Sequence, residues 1–237
     1  MTQAVDLANA INNFVVGCKQ DGIWDPIKAC CIMAAWDGLN GALYPLKGAA
    51  PTNYNFVSGD YDRETGLAGD GSTKYLDSNR NNNADPQNNN HLSAYINRTT
   101  GNTQYFLGAR TSGSEIGGKI AALVSGQNNV YLSNNPSTDT ANTIPGPTLG
   151  ASSFFGTARS NPASYVGRAI GISQSITQSS TDPINRNIFV FAVNNSGSPL
   201  LPSSCRIAFY SIGESLDLAA LDTRVSALIT AIGAAIP

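Results

Sequence analysis

The carboxylates Asp60, Asp62 and Glu64 are spaced by two, so on an extended strand all three would point to one face. A carboxylate pair is the machinery of a retaining glycosidase, which holds its two carboxyl groups about 5–5.5 Å apart. Here the run sits between Gly59 and Gly66, the chain has only three Glu, and a solvated strand end accounts for the spacing without catalysis. A second alternation, Asp77, Asn79, Asn81, Asn83 and Asp85, begins like a calcium loop, with oxygen ligands at positions one, three and five. Asn82 stands where such a loop needs glycine, and Asn88 stands where it needs a bidentate Glu. A polar edge that hydrogen-bonds its own turns is the expected structure, with no metal and no cofactor. The stretch GDGSTKY, Gly69 to Tyr75, has the residue types of a phosphate loop but not the order, and no helix follows it. A G-x-S-x-G nucleophile elbow is absent. The single histidine, His91, excludes sites that need two imidazoles and reads as an ordinary strand-end residue. The expectation is a protein that is not an enzyme.

Cys18, Cys30, Cys31 and Cys205 form an even set without C-x2-C spacing, which reads as four free, buried thiols. Tyr54, Tyr61, Tyr75, Tyr95 and Tyr105 could offer stacking faces to a glycan, although strand tyrosines also serve as half-buried core.

The elements that must carry these residues divide the chain into three parts. Positions 1–50 read as a helical segment and connector. Leu7, Ile11, Phe14 or Val15, and Cys18 recur at helical spacing. Asp25 followed by Pro26 signals the start of a second helix that carries Ile27, Cys30, Cys31, Ala34 and Ala35 inward. Positions 51–213 change to short β runs between Gly, Asn, Pro and Ser clusters: NYNFVS, HLSAYIN, QYFLGA, KIAALVS, VYLS, SYVGRAIGIS, NIFVFAV and CRIAFYSI. The stretch NRNNNADPQNNN reads as an ordered polar loop or edge strand. No crossover helix fits between the runs, so the sheets should be antiparallel and the fold mainly β, a sandwich or jelly roll with a helix at each end. Positions 214–237 read as the second of these helices, with Leu218, Leu221, Val225, Leu228 and Ile232 in an a/d seam, Ser215 as its cap and Gly233 as its end.

Composition narrows the partners. The 237 residues are 41% hydrophobic, enough for a large core, and only 13% charged, with 25 Asn and 23 Gly supplying the polar surface. Net charge is −2 and the 14 Lys and Arg are scattered, so no footprint for nucleic acid is visible. The longest strongly apolar run, Ala29 to Trp36, is eight residues, which predicts no membrane insertion. The first basic residue is Lys19, so no secretory leader is expected and synthesis in a cytoplasm is.

Two blocks, PLKGAAPTNYNFVSGDYDRETGLAGDGSTKYLDSNRNNNADPQNNNH at 45–91 and RNIFVFAVNNSGSP with CRIAFYSIGESLDLAALDTRV within 186–225, resemble structural proteins of tailed bacteriophages. Those proteins occur in tails and on particle surfaces and carry a concanavalin- or laminin-G-like sandwich. The resemblance implies a virion protein on the particle exterior, either the adhesive head of a tail fibre or a capsid decoration. Its partners would be other capsid or tail proteins and, in a fibre, host-surface glycans. The candidate docking or oligomer interface is the pair of terminal helix faces: Leu7 and Ile11, and Leu218, Leu221, Val225, Leu228 and Ile232. The two seams could cover each other, or the C-terminal seam could build a homo-oligomer, which the resemblance implies as a trimer. The alternatives are a stand-alone carbohydrate-binding module and a polysaccharide depolymerase.

Overall fold

The computed structural model describes residues 2–98, 103–124, 129–140, 142–145 and 151–236. Ser125, the end of the KIAALVS run, lies outside them. Helix α1 (Thr2–Gln20) leads into β1 (Ile27–Ile32) and the single turn α2 (Leu39–Ala42). The sandwich continues with β2 (Thr52–Tyr54), β3 (Tyr61–Asp62), β4 (Gly66–Ala68), β5 (Tyr75–Asn81), β6 (Asn90–Arg98) and β7 (Gln104–Thr111). Then follow β8 (Ser114–Val124), β9 (Asn129–Asn134), β10 (Thr143–Pro145), β11 (Ser153–Asn161), β12 (Ser164–Ala169) and β13 (Ile172–Thr177). Strands β14 (Asn187–Val190), β15 (Val193–Asn195), β16 (Ser198–Leu200) and β17 (Arg206–Gly213) precede helix α3 (Leu218–Ala235).

The first sheet runs β13-β12-β11-β6-β17-β4-β3, with β1 also on β17, and the second runs β10-β9-β8-β7-β14-β5-β2, with β15 on β7 and β16 on β15. The fold is the expected mainly antiparallel β-sandwich with a helix at each end. The exception in direction is the short parallel pairing of β15 with β7. Inward residues of both sheets, among them Leu92, Ala94 and Ile96 of β6 and Leu107 and Ala109 of β7, form the inter-sheet core. A second apolar layer lies outside the first sheet, where Phe154, Ala208 and Phe209 meet Leu7, Phe14 and Cys18 of α1 and the seam of α3.

Four expectations are corrected. The second helix is strand β1. Its residues Ile27, Ala29, Cys30, Cys31 and Ile32 are all at most 2% exposed. It pairs antiparallel with β17, from Ile27 opposite Gly213 to Ile32 opposite Phe209. An apolar run buried on both sides has no period that separates strand from helix. Its alternation sends Cys31 into the inter-sheet core and Cys30 into the helical layer, so the neighbours diverge. All four cysteines are free thiols. Second, β11 is a full strand that none of the runs named from the sequence includes, whereas β5 is the strand that the GDGSTKY turn enters. The YLDSNRN and SFFGTARSN segments hold too many polar residues to look apolar, yet Ser78 and Thr157 are completely buried. Third, NIFVFAV is two strands. Phe191 adopts φ 68°, a left-handed conformation that is rare for an aromatic residue, and it turns the chain from β14 to β15. Fourth, the cap of α3 is Asp217, whose Oδ1 accepts from the N–H of Ala219 (2.8 Å) and Ala220 (3.1 Å), and the helix runs through Gly233 to Ala235. The carboxylate cap also meets the positive end of the helix dipole.

Helix α3 is long and apolar enough to cross a membrane, with mean hydropathy 1.4. Its apolar face is committed elsewhere: Leu218, Leu221, Val225, Leu228 and Ile232 are each at most 3% exposed and pack in the layer shared with α1. Ion pairs pin the docking, Arg168 on β12 to Asp222 at 2.8 Å and Arg224 to Asp21 at 2.7 Å.

Candidate functional site: an aromatic ladder at a sheet edge

Strand β5 alternates strictly here: Leu76 and Ser78 are buried, while Tyr75 and Asp77 share the outer face of the second sheet. Its neighbour β2 pairs with it antiparallel, placing Tyr54 opposite Tyr75 and Thr52 opposite Asp77. On the other side Phe189 of β14 lies opposite Asp77. Three rings therefore lie in a row. Tyr54 and Tyr75 are stacked with centroids 4.4 Å apart and planes 5° apart. Tyr75 and Phe189 follow at 4.7 Å and 35°. Burial is graded along the row, from Phe189 at 5% exposed through half-buried Tyr75 to Tyr54 at 40%, on the end strand of the sheet. Burial, then Tyr54, then Asp77 raise the Tyr75 phenol above its usual range, so Tyr75 stays neutral at ordinary pH.

Polar side chains around the ladder are held by the chain itself. Asp77 accepts from the Asn79 N–H (2.8 Å) and from Asn187 Nδ2 (3.1 Å). Asn79, at φ 54°, donates Nδ2 to the Ala50 carbonyl (2.8 Å) and to Thr52 Oγ1 (3.0 Å). Asn55 donates Nδ2 to the Thr73 carbonyl at 2.9 Å, tying the loop after β2 to the turn before β5. In that turn Asp70 Oδ1 accepts from the N–H groups of Ser72, Thr73 and Lys74 at 2.8–3.0 Å. The GDGSTKY segment is thus an Asx-type turn that positions Tyr75. The platform is organised before any ligand arrives, which lowers the ordering cost of binding.

The other candidates are placed apart. Asp60 ends a 3-10 turn, accepts from the Val57 N–H (2.8 Å) and pairs with Lys74 at 2.5 Å. Asp62 accepts from the Thr65 hydroxyl (2.5 Å) and N–H (2.8 Å), which hold its carboxyl below the usual range, the hydroxyl contributing most. The two carboxylates are turn builders and share no strand face with Glu64. Of the alternating set, Asp77 serves the ladder while Asp85 is buried and clamped by Arg80. The five groups do not converge. His91 is fully buried; its Nδ1–H donates to the Glu214 carbonyl (2.6 Å) and its Nε2 accepts from Ser211 Oγ (2.9 Å). Tyr61 donates to the Trp36 carbonyl (2.6 Å), Tyr95 packs in the helical layer, and Tyr105 packs over Ile120 and Tyr131. Leu7 and the five α3 seam residues lie buried in the intrachain layer, and Ile11 lies partly buried against it. Among the tyrosines named from sequence, the structure joins Tyr54 and Tyr75. Phe189 was missed, because only strand order brings it to them.

No protein-family description matches the chain, and no curated protein is similar to it. Solved structures share the fold. The botulinum neurotoxin serotype D binding domain superposes with TM-score 0.56 at 10% identity, over 86% of this chain and 51% of that one, so this chain spans about half its length. The Ruminococcus gnavus IT-sialidase CBM40 bound to alpha2,3 sialyllactose aligns over 58% of this chain and 82% of its own, with TM-score 0.47 and 15% identity. The NanB sialidase of Streptococcus pneumoniae aligns over 59% and 24%, with TM-score 0.47 and 12% identity. At these identities the likeness is one of fold: a two-sheet β-sandwich.

Proposed function

We propose that this chain is a non-catalytic carbohydrate-binding β-sandwich, and that a sugar ring docks on Tyr54. The observation that carries it is the ladder's open end, an exposed tyrosine held flat by a stacked partner in a rim of fixed hydrogen-bonding groups. A pyranose has one face of C–H groups, weakly positive, and an equator of hydroxyls. The face suits the negative face of an aromatic ring, and the hydroxyls suit Thr52, Asn55, Asn79 and Asp77. Those groups are one hydroxyl, two amides and one carboxylate, which favours a neutral sugar over an anionic one. The sandwich architecture, shared with a sialidase carbohydrate-binding module, supports the reading at the level of fold.

The sequence resemblance adds a setting, the exterior of a tailed-phage particle, where such a domain would serve as an adhesion head or a decoration on other virion proteins. A glycan array probed with the purified chain should give binding that Tyr54→Ala weakens at least about tenfold while the melting temperature stays within a degree or two. Absence of binding to any glycan, or equal binding by Tyr54→Ala, would overturn the reading. Immunogold labelling of intact particles tests the setting separately, since capsid and tail positions exclude each other.

A further inference from the structure

One end of the inter-sheet space is polar. Lys119 of β8 and Asn134 of β9 are register partners on the inward face that carries Ala121 and Leu132. Across from them, Asn90 of β6 and Arg159 of β11 are register partners on the inward face that carries Leu92 and Phe155, with Thr157 two residues before Arg159. Arg159 spans the gap, donating Nε (3.0 Å) and Nη2 (2.8 Å) to the Asn134 carbonyl. Asn82, Asn90, Lys119, Asn134, Thr157 and Arg159 are all 0% exposed.

This end is unbalanced in two ways. Lys119 Nζ, both amide atoms of Asn134, Thr157 Oγ1, Asn90 Oδ1 and Asn82 Oδ1 are buried without a hydrogen-bond partner. Asn82 and Asn90 cannot relieve this by flipping, because their Nδ2 groups are already spent on the carbonyls of Gly117, Pro86 and Gln87. Charge is unbalanced too. The guanidinium of Arg159 donates to the carbonyls of Asn134, Asn161, Ser164 and Gln178 and to no carboxylate. The carboxylate close enough to act on Lys119 is Asp85, and both its oxygens bond Arg80. Asp85 is thus taken by Arg80, which is about a fifth exposed, while Lys119 and Arg159 are fully buried and pair with no carboxylate among the described residues. A buried cation without a counterion is expensive enough that proteins pair it or neutralise it. Neutralising Lys119, whose ammonium burial pushes down to about 8, would still leave the Arg159 charge held by backbone carbonyls and the face of the Tyr165 ring, without a counterion.

We propose that this closed end of the sandwich is a binding site for one small monovalent anion, of the size and charge of chloride, held by Lys119 Nζ, the Thr157 hydroxyl and Asn134 Nδ2. The three groups are donors lacking acceptors, drawn from both sheets. The anion would complete the core and lock the two sheets at the end where apolar packing stops. The site is separate from the Tyr54 ladder and does not rest on the glycan reading.

The test uses the full chain, exchanged into sodium gluconate and titrated with sodium chloride or bromide at constant ionic strength. The melting temperature should rise by about 5 °C as halide saturates the site. Lys119→Met, which keeps the stem and removes the charge, should lose that response, whereas Tyr54→Ala should keep it. Crystals grown in bromide should show an anomalous peak between Lys119 and Thr157. If the wild type melts at the same temperature in gluconate and chloride and no such peak exists, no anion is held there and the proposal fails. An equal halide response in Lys119→Met would also overturn it, as a general salt effect. Should Lys119→Met not fold, the wild-type titration and the bromide map decide alone.

Discussion

The buried histidine shows how one residue couples the fold to pH. His91 is neutral in the folded chain because burial, above all, pulls its pKa from the usual 6.5 to about 4, while the Glu214 carbonyl resists and Lys119 adds to the pull. The unfolded chain takes a proton near pH 6.5 that the folded chain refuses, so stability is full above that value. It is lost as pH falls from about 6.5 towards about 4, by on the order of 3 kcal/mol. Urea unfolding at pH 7 and pH 4.5 should show this loss, and His91→Gln should show a smaller one. A ring that titrated near 6.5 by NMR in the folded protein would contradict the burial. The thiols follow the same physics: burial raises Cys18 and Cys205 to about 12 and Cys31 to about 11, so none is a nucleophile at neutral pH. Residue types and spacing revealed the silent histidine, the free cysteines and the tyrosines. They could not reveal that Tyr54 and Tyr75 stack, nor that Lys119 faces Asn134, because such meetings depend on strand register.

At the scale of elements, period was informative where one face is polar and silent where both are buried. The 3-4-3-4 rhythm of α3 was legible, as was the apolar face of α1, because each helix keeps a wet side. Strand β1 was misread because it has none: β17 flanks it in the sheet, while the core lies on one face and the helices on the other. Strand β11 escapes the sequence pattern for the opposite reason, since its buried positions include Thr157 and Arg159, polar groups that the fold satisfies or leaves for a ligand. The seam of α3 is occupied within the chain, by α1 and the outer face of the first sheet, with Phe14 set edge-on to Phe209 at 5.6 Å. Leu221→Ala should therefore cost about 2–5 kcal/mol in chemical denaturation, as a cavity in a packed layer. Light scattering should give the same mass for the variant as for the wild type. A lower mass with unchanged stability would return the seam to a contact between copies.

The whole molecule is three layers, helices on sheet on sheet, and its middle layer belongs to both apolar clusters. Strand β17 shows this most directly. Ile207, Tyr210 and Ile212 face the inter-sheet core, while Ala208 and Phe209 face the helices, with a register shift between them. β1 repeats the arrangement with Cys31 inward and Cys30 outward. No apolar boundary exists along which the helical layer could separate without stripping the first sheet of half its packing. A chain of 237 residues is longer than most that unfold in one step, so the cooperativity expected here rests on layering and not on size. The protein carries its own reporters. Trp24 packs in the helical layer, and Trp36 donates Nε1 to the Ile32 carbonyl at the end of β1. Tryptophan fluorescence therefore reads the helical layer through Trp24 and the end of β1 through Trp36, while far-ultraviolet circular dichroism reads the backbone of sheets and helices together. The two thermal or urea transitions should superimpose, with one midpoint. If fluorescence changed first and the sheet signal persisted, the helices would be a separable unit docked on the sandwich, and the shared-strand account of the fold would be wrong.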